Sequence, residues 1–440
     1  MLDSEASENS TGNQAGASNN APASRIGRPV PERLVRAGVM PLVDMAVLVA
    51  AAEQGFARQE GISLQLIKDV SWSNIRDRLA FRQFDVAHML SPMPVSSQLG
   101  LGSNPYPCFT PFALGRGGNA ITLSLDLYRE IQALAGLDDS EGALTKGEAL
   151  KQVIERRRSA GKRPLVFAMT YPFSPHNYEF RFWLAAAGIN PDSDVTMTVV
   201  PPPLTVDALE TCAIDGFCAN APWNMIAVEK GVGRIVATKA EIWPAAPEKV
   251  LGVHPEWAQQ NPETLARLIV ALDQAARWCD DHGNHSTLAD MLSDPAYVGV
   301  PADLILRLLS GNLTIDPNGK TKRIERYLTF HKEAANFPWL SQALWIYSQM
   351  VRWGQVPYDE ASLSRVTEAF RPDIYRDVLR SSESPVPEIS SKIEGEGSGL
   401  GAVPTTRGDL LLSSQMFMDG RPFHPDDILG YVDGFQIRNV

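Results

Sequence analysis

Three short stretches each combine a helix start or a stiffened turn with a side chain suited to holding a small anion. The first is Ser71-Trp72-Ser73-Asn74, directly after an expected strand at 62–68. Either serine can cap the helix that follows, which leaves backbone N–H groups pointing outward. A helix N-terminus attracts anions, and Trp72 either walls such a site or packs between sheet and helix. The second is Ser174-Pro175-His176-Asn177. Serine followed by proline is a strong helix-start signal, and it places His176 in the first turn. There the ring either donates a hydrogen bond into a cleft or sits exposed at a helix end. The third is Pro247-Glu248-Lys249, after the aromatic Ile242-Trp243-Pro244. A lysine in a proline-stiffened loop offers a buried positive charge or, like most lysines, stays a solvated one. Gly115-Arg116-Gly117-Gly118-Asn119 reads as a flexible loop whose amides can approach a ligand closely.

Enzyme signatures are missing from this list. There is no H-E-x-x-H, no G-x-S-x-G, no Rossmann glycine fingerprint and no Gly-Lys-Ser/Thr phosphate-loop ending. Cys212 and Cys218 lie six apart with no second pair, and read as buried apolar cysteines rather than a metal site. His282 and His285 read as solvated. The expectation is therefore a binding protein with no catalysis, no cofactor and no metal.

The elements that must position these residues follow a rhythm. Expected strands at 34–39, 62–68 and 85–90 alternate with helices at 43–54 and 73–83, and the same alternation returns from 165 to 219. Short apolar runs between helix-length periodic segments signal a parallel α/β sheet. A polar, largely helical insertion at 126–163 separates the two sets, and the chain is mostly helical after 254. The predicted organisation is a disordered tail at 1–30, one lobe from 31–120 plus 250–380, a second from 121–249, and a C-terminal arm at 381–440. The expected fold class is α/β, two-lobed, with a central ligand cleft outside the strand ends.

Composition narrows the class further. The chain has 440 residues, 44% of them hydrophobic, and a net charge of −11. That balance argues against direct binding of nucleic acid or an anionic membrane. No apolar run approaches the ~18 residues needed to cross a bilayer. The first residues are acidic and polar with no apolar run after them, so they do not read as a signal peptide, and a cytoplasmic location is expected.

Together the stretches at 38–44 (GVMPLVD), 71–90 (SWSNIRDRLAFRQFDVAHML), 118–124 (GNAITLS), 181–191 (RFWLAAAGINP), 199–203 (VVPPP), 215–224 (DGFCANAPWN) and 247–252 (PEKVLG) resemble the nitrate/bicarbonate substrate-binding protein family. The resemblance runs strongly from about 34 to 260 and weakly over 417–435. It implies the two-lobed type II periplasmic-binding-protein fold. Transport members of that family deliver nitrate, nitrite or bicarbonate to ABC transporters. A cytosolic branch senses nitrate or nitrite and holds an ANTAR-domain RNA-binding antiterminator of nitrate assimilation inactive until the anion binds. The lack of a signal sequence points to that branch. Position by position, the resemblance makes Trp72, Asn119, His176 and Lys249 the ligand-contacting residues. Asn119 stands where the nitrate-binding transport protein has a glutamine, and Ala221 stands where transport members typically carry an acidic residue. Bicarbonate, with its O–H, benefits from a carboxylate acceptor, whereas nitrate has only acceptor oxygens. Ala221 therefore predicts nitrate or nitrite, with one lysine balancing one anion.

Overall fold

The computed structural model describes residues 32–102, 106–137, 140–397 and 401–439. The tail expected at 1–30 lies outside them. Two main sheets are built from β1 (Arg33–Val39), β2 (Ile62–Lys68), β3 (Val86–Leu90), β4 (Ala113–Gly117), β5 (Asn119–Ser124), β6 (Val166–Met169), β7 (Thr196–Val199), β8 (Gly216–Asn220), β9 (Gly233–Thr238) and β10 (Pro247–Val253), with one further short strand, Leu328–Thr329.

In the first lobe β1 runs parallel to β2 and β3, and β10 returns antiparallel to β3 with Lys249 opposite Leu90. β4 and the short strand Leu328–Thr329 extend that sheet to its edge. The second sheet has the order β7-β6-β8-β5-β9, with β6 parallel to its neighbours and β5 antiparallel to β8 and β9. Every residue of β3, β8 and β10 is buried. Strands covered on both faces read as near-continuous apolar runs, so the polar exceptions in them, His88, Asn220, Glu248 and Lys249, mark where the lobes meet.

The chain passes between the lobes at Gly118 and again over 239–246. Gly118 adopts φ +84°, and a Cβ there would sit 2.7 Å from the Asn220 amide and 2.8 Å from Leu328. Only glycine combines that backbone with that crowding. The stretch 115–119, expected as a flexible loop, is thus the end of one strand and the start of the next. Residues 247–249, also expected as a loop, open β10.

Helices cover both sheets. Pro262–Cys279 buries Leu265, Leu268, Ile269, Leu272, Ala275, Ala276 and Cys279, a three-to-four spacing that makes one continuous apolar face. This face packs against the helix Ala46–Glu53. The C-terminal residues fold back onto the body. Phe417 packs on Trp243, with ring centroids 4.5 Å apart, and on Phe182 at 5.7 Å. The Met418 amide donates to the Ile242 carbonyl at 2.8 Å, so this arm braces the second crossing between the lobes. Among the described residues no helix is long and apolar enough to cross a membrane.

Candidate functional site

Helix capping sets two of the site's side chains. Ser71 Oγ accepts from the Asn74 amide at 3.2 Å, starting the helix Trp72–Ala80. Ser174 Oγ accepts from the Asn177 amide at 3.0 Å, starting Pro175–Ala186. Trp72 and His176 therefore occupy first-turn positions, and both point inward. Trp72, Asn119, His176 and Lys249 are all buried, none more than 1% exposed. The Trp72 ring meets His88 edge-on at 5.6 Å and lies 5.5 Å from Lys249 Nζ.

The strand β10 brings two charges to this point instead of one. Neighbouring residues of a strand normally face opposite sides. Here the register against β4 shifts on either side of Lys249, as in a bulge, and Glu248 and Lys249 contact each other. Lys249 Nζ also pairs with Asp44 Oδ2 at 2.7 Å. Asp44, on the turn Val43–Met45, is held from behind by His88 Nε2 at 3.1 Å, while His88 Nδ1 accepts from the Met40 amide. Burial alone would raise the Asp44 carboxyl, but the Lys249 charge and His88 more than offset it and hold it at about 2. Burial pushes against the Lys249 ammonium as well, yet Asp44 and Glu248 hold it above the ordinary lysine range.

A second lysine, Lys239, pairs with Glu179 Oε1 at 2.7 Å and contacts Glu248 Oε2. Asn119 Nδ2 bridges the same carboxylates, donating to Glu248 Oε2 at 2.6 Å and to Glu179 Oε2 at 2.9 Å. Its orientation is fixed by Asn220 Nδ2, which donates to Asn119 Oδ1 at 2.8 Å. Burial raises the Glu179 carboxyl to about 7, because the Lys239 attraction is partly cancelled by Glu248. Burial would raise Glu248 too, but Lys239 and Lys249 hold it at about 2.

The structure thus brings the four sequence-predicted residues to one buried junction. It does not leave all four free. The amide donor of Asn119 and the ammonium of Lys249 are already engaged by carboxylates of the protein. Among the described residues, Trp72 Nε1 and His176 Nε2 have no hydrogen-bond partner. His176 Nδ1 lies 3.0 Å from Thr170 Oγ1. With the Thr170 hydroxyl donating there, Nε2 carries the hydrogen and faces the junction. Desolvation holds this imidazole down at about 3, so it is a neutral donor at physiological pH.

Two expectations change. The picture of one lysine balancing one anion is replaced by two lysines among three carboxylates. Ala221 is fully buried beside the first crossing, and the missing acid at that position does not leave the site without carboxylates, since Asp44, Glu179 and Glu248 all reach it. Of these, Glu179 was foreshadowed by sharing a helix face with His176 three residues earlier, and Glu248 by its place beside Lys249. Nothing local marks Lys239. Elsewhere, Cys218 is buried as expected and desolvation lifts its thiol well above the ordinary range. Cys212, by contrast, is exposed and His285 is buried. Among the described residues no group of three His, Cys, Asp or Glu side chains is placed to hold a metal ion.

Two α/β lobes joined by two crossings, with buried polar groups at the junction, make up the type II periplasmic-binding-protein fold. The crystal structure of the periplasmic nitrate-binding protein NrtA from Synechocystis superposes with a TM-score of 0.80 at 26% identity, over 92% of this chain and 99% of that one. The model of the NMT1-like family matches residues 28–293, and the chain belongs to that family. It is 34% identical over 406 residues to the nitrate import ATP-binding protein NrtC of Synechocystis, covering 91% of this chain. The chain spans only 55% of that relative's length. It is 28% identical to the nitrate/nitrite binding protein NrtA of Synechococcus elongatus, over 98% of this chain and 93% of the relative.

Proposed function

We propose that the chain binds nitrate or nitrite at the lobe junction and performs no catalysis. The observation that carries this reading is the buried His176 Nε2, which among the described residues has no hydrogen-bond partner and lies 3.7 Å from Glu248 beside Lys249, with the Trp72 ring facing the same ammonium and its own Nε1 likewise without a partner. Nitrate and nitrite present only acceptor oxygens, so they are matched by N–H donors and an ammonium. The nitrate-binding and nitrate-import relatives support the same ligand class.

Nitrate at a hundredfold excess over its Kd should stabilise the folded protein by about 2.7 kcal/mol, read as a rise in Tm. A larger rise with bicarbonate overturns the ligand assignment. His176→Ala should weaken nitrate binding by about 1–3 kcal/mol, the cost of one lost donor in a buried site. Calorimetric titration checks this, and an unchanged Kd removes His176 from the site.

The finer reading we infer is a cytoplasmic sensor that holds an ANTAR-domain RNA-binding antiterminator inactive until the anion binds. Its support is the resemblance over 34–260 to the nitrate/bicarbonate substrate-binding family, of which the sensor branch is part, and a net charge of −11 that suits a chain leaving RNA to its partner. If the antiterminator grips the open arrangement of the lobes and nitrate selects the closed one, each weakens the other by the same factor, roughly 5–150-fold. The test is to mix the purified proteins, add nitrate or nitrite and follow the complex by light scattering. A complex that survives saturation with both anions, or none without them, favours a second reading. In that reading the chain is the solute-binding part of a nitrate or bicarbonate ABC transporter, as the import-protein relatives suggest.

A further inference from the structure

Three carboxylates and two ammonium groups share the buried junction, so one negative charge is surplus. Lys249 pairs with Asp44 and Lys239 with Glu179. Glu248 is the odd group, bridging the two pairs. Its Oε1 contacts Lys249 and lies 3.7 Å from His176 Nε2, and its Oε2 contacts Lys239 and accepts from Asn119. Asn119, His176 and Lys249 therefore converge on a planar anion that belongs to the protein itself. Glu248 is 1% exposed and has no solvent to turn into. A nitrate touching Lys249 and His176 brings acceptor oxygens against this carboxylate, and like charges at that distance in a buried site do not all stay ionised.

Resting on the nitrate/nitrite reading above, we propose that Glu248 is an internal anion seated on the ligand's donors, and that nitrate or nitrite binds only as the surrounding carboxylates take up a proton from solvent. Glu179 and Glu248 share Asn119 Nδ2 and Lys239 Nζ, so the proton belongs to that pair rather than to either residue. The other groups facing it leave no competing carrier. Asp44 and Lys249 stay ionised as partners, and burial keeps His88 and His176 neutral. Burial likewise keeps Cys218, on β8, and Tyr327 protonated. With Glu179 pushed up to about 7, the pair already carries the proton in mildly acid solution and must acquire it in alkaline solution.

The test measures nitrate binding by calorimetry from pH 6 to 9 in the wild-type protein and in Glu248→Gln. The amide keeps the shape of the side chain and leaves each lysine one carboxylate. The wild-type Kd should weaken roughly tenfold per pH unit above neutrality, as uptake of one proton requires. In two buffers of different ionisation enthalpy at pH 8.5, about one proton should enter per nitrate. Glu248→Gln should bind at least tenfold tighter than wild type at pH 8.5, with a nearly flat pH profile. A wild-type Kd that is flat across this range with no proton uptake overturns the proposal while leaving the nitrate reading intact. So does a Glu248→Gln that binds no tighter and keeps the slope. If neither protein binds nitrate or nitrite at any pH, the nitrate reading falls and the proposal with it. Should Glu248→Gln fail to fold by circular dichroism, the wild-type pH series and buffer comparison decide alone.

Discussion

Lys249→Ala should lower the stability of the folded protein by about 3–5 kcal/mol, besides abolishing nitrate binding. A lysine in a solvated loop could be removed at little structural cost. Lys249 is instead an interior residue of β10, 1% exposed, between Asp44 and Glu248. Its removal leaves Asp44 with only a neutral histidine against it, and an uncompensated buried charge is far more costly than the intact pair is favourable. The pairing also predicts a partial rescue. In Lys249→Met combined with Asp44→Asn the charge is removed from both sides, so the double variant should be more stable than Lys249→Ala. Urea unfolding of the three proteins checks this. A Lys249→Ala midpoint equal to that of the wild type would show that the ammonium is solvated.

Acidification below about pH 4 should destabilise the protein steeply, whereas the fall from pH 6.5 to 4 should cost little. His176 is held neutral down to about pH 3 by burial, whereas an imidazole in the unfolded chain takes its proton near pH ~6.5. Between those values the unfolded state binds a proton that the folded state refuses, so stability falls as pH falls through that window. Each unit of that gap is worth about 1.4 kcal/mol, which makes His176 alone a matter of several kcal/mol. Asp44 and Glu248, both held at about 2, act in the same direction lower down. Their contribution is complete above the unfolded carboxylate values of ~4 and is lost as pH drops toward 2. Glu179 works the other way. Its carboxyl titrates at about 7 in the folded state, so what it contributes is present below the unfolded value of ~4 and is lost as pH rises through 7. Over about pH 4–6.5 Glu179 and His176 offset each other nearly unit for unit, so the net expectation is a shallow profile there and a steep loss below pH ~4, where His176, Asp44 and Glu248 act together. Urea midpoints at pH 6, 4.5 and 3 measure it, and in His176→Asn the unopposed Glu179 should make the protein more stable at pH 4.5 than at pH 6. Equal midpoints at pH 4.5 and 3 would mean that the junction is open to water.

The parts of this protein written in its sequence are the local ones. Ser71 and Ser174 announce their helices because a cap is satisfied within three residues, and that alone places Trp72 and His176 in first turns. The strands β1 to β3 and β6 to β8 announce themselves by short runs between helices, most plainly β3 and β8, which are buried on both faces and therefore almost continuously apolar. Trp72, His176 and Lys249 were legible as well, as separate motifs in order along the chain, whereas nothing local marked Lys239. What only the tertiary structure decided is which charges meet. Asn119 and Glu248 lie 129 positions apart, and they touch because β5 and β10 belong to different sheets that meet where the chain crosses between the lobes. The bulge beside β4 aims Glu248 and Lys249 at the same junction, which the alternation of an ordinary strand would forbid. Capping and periodicity act over a few residues and so leave a local trace. The energy of a buried charge is set by every group within a few ångströms, and those groups are assembled by topology from stretches far apart in the sequence, from Asp44 to Lys249.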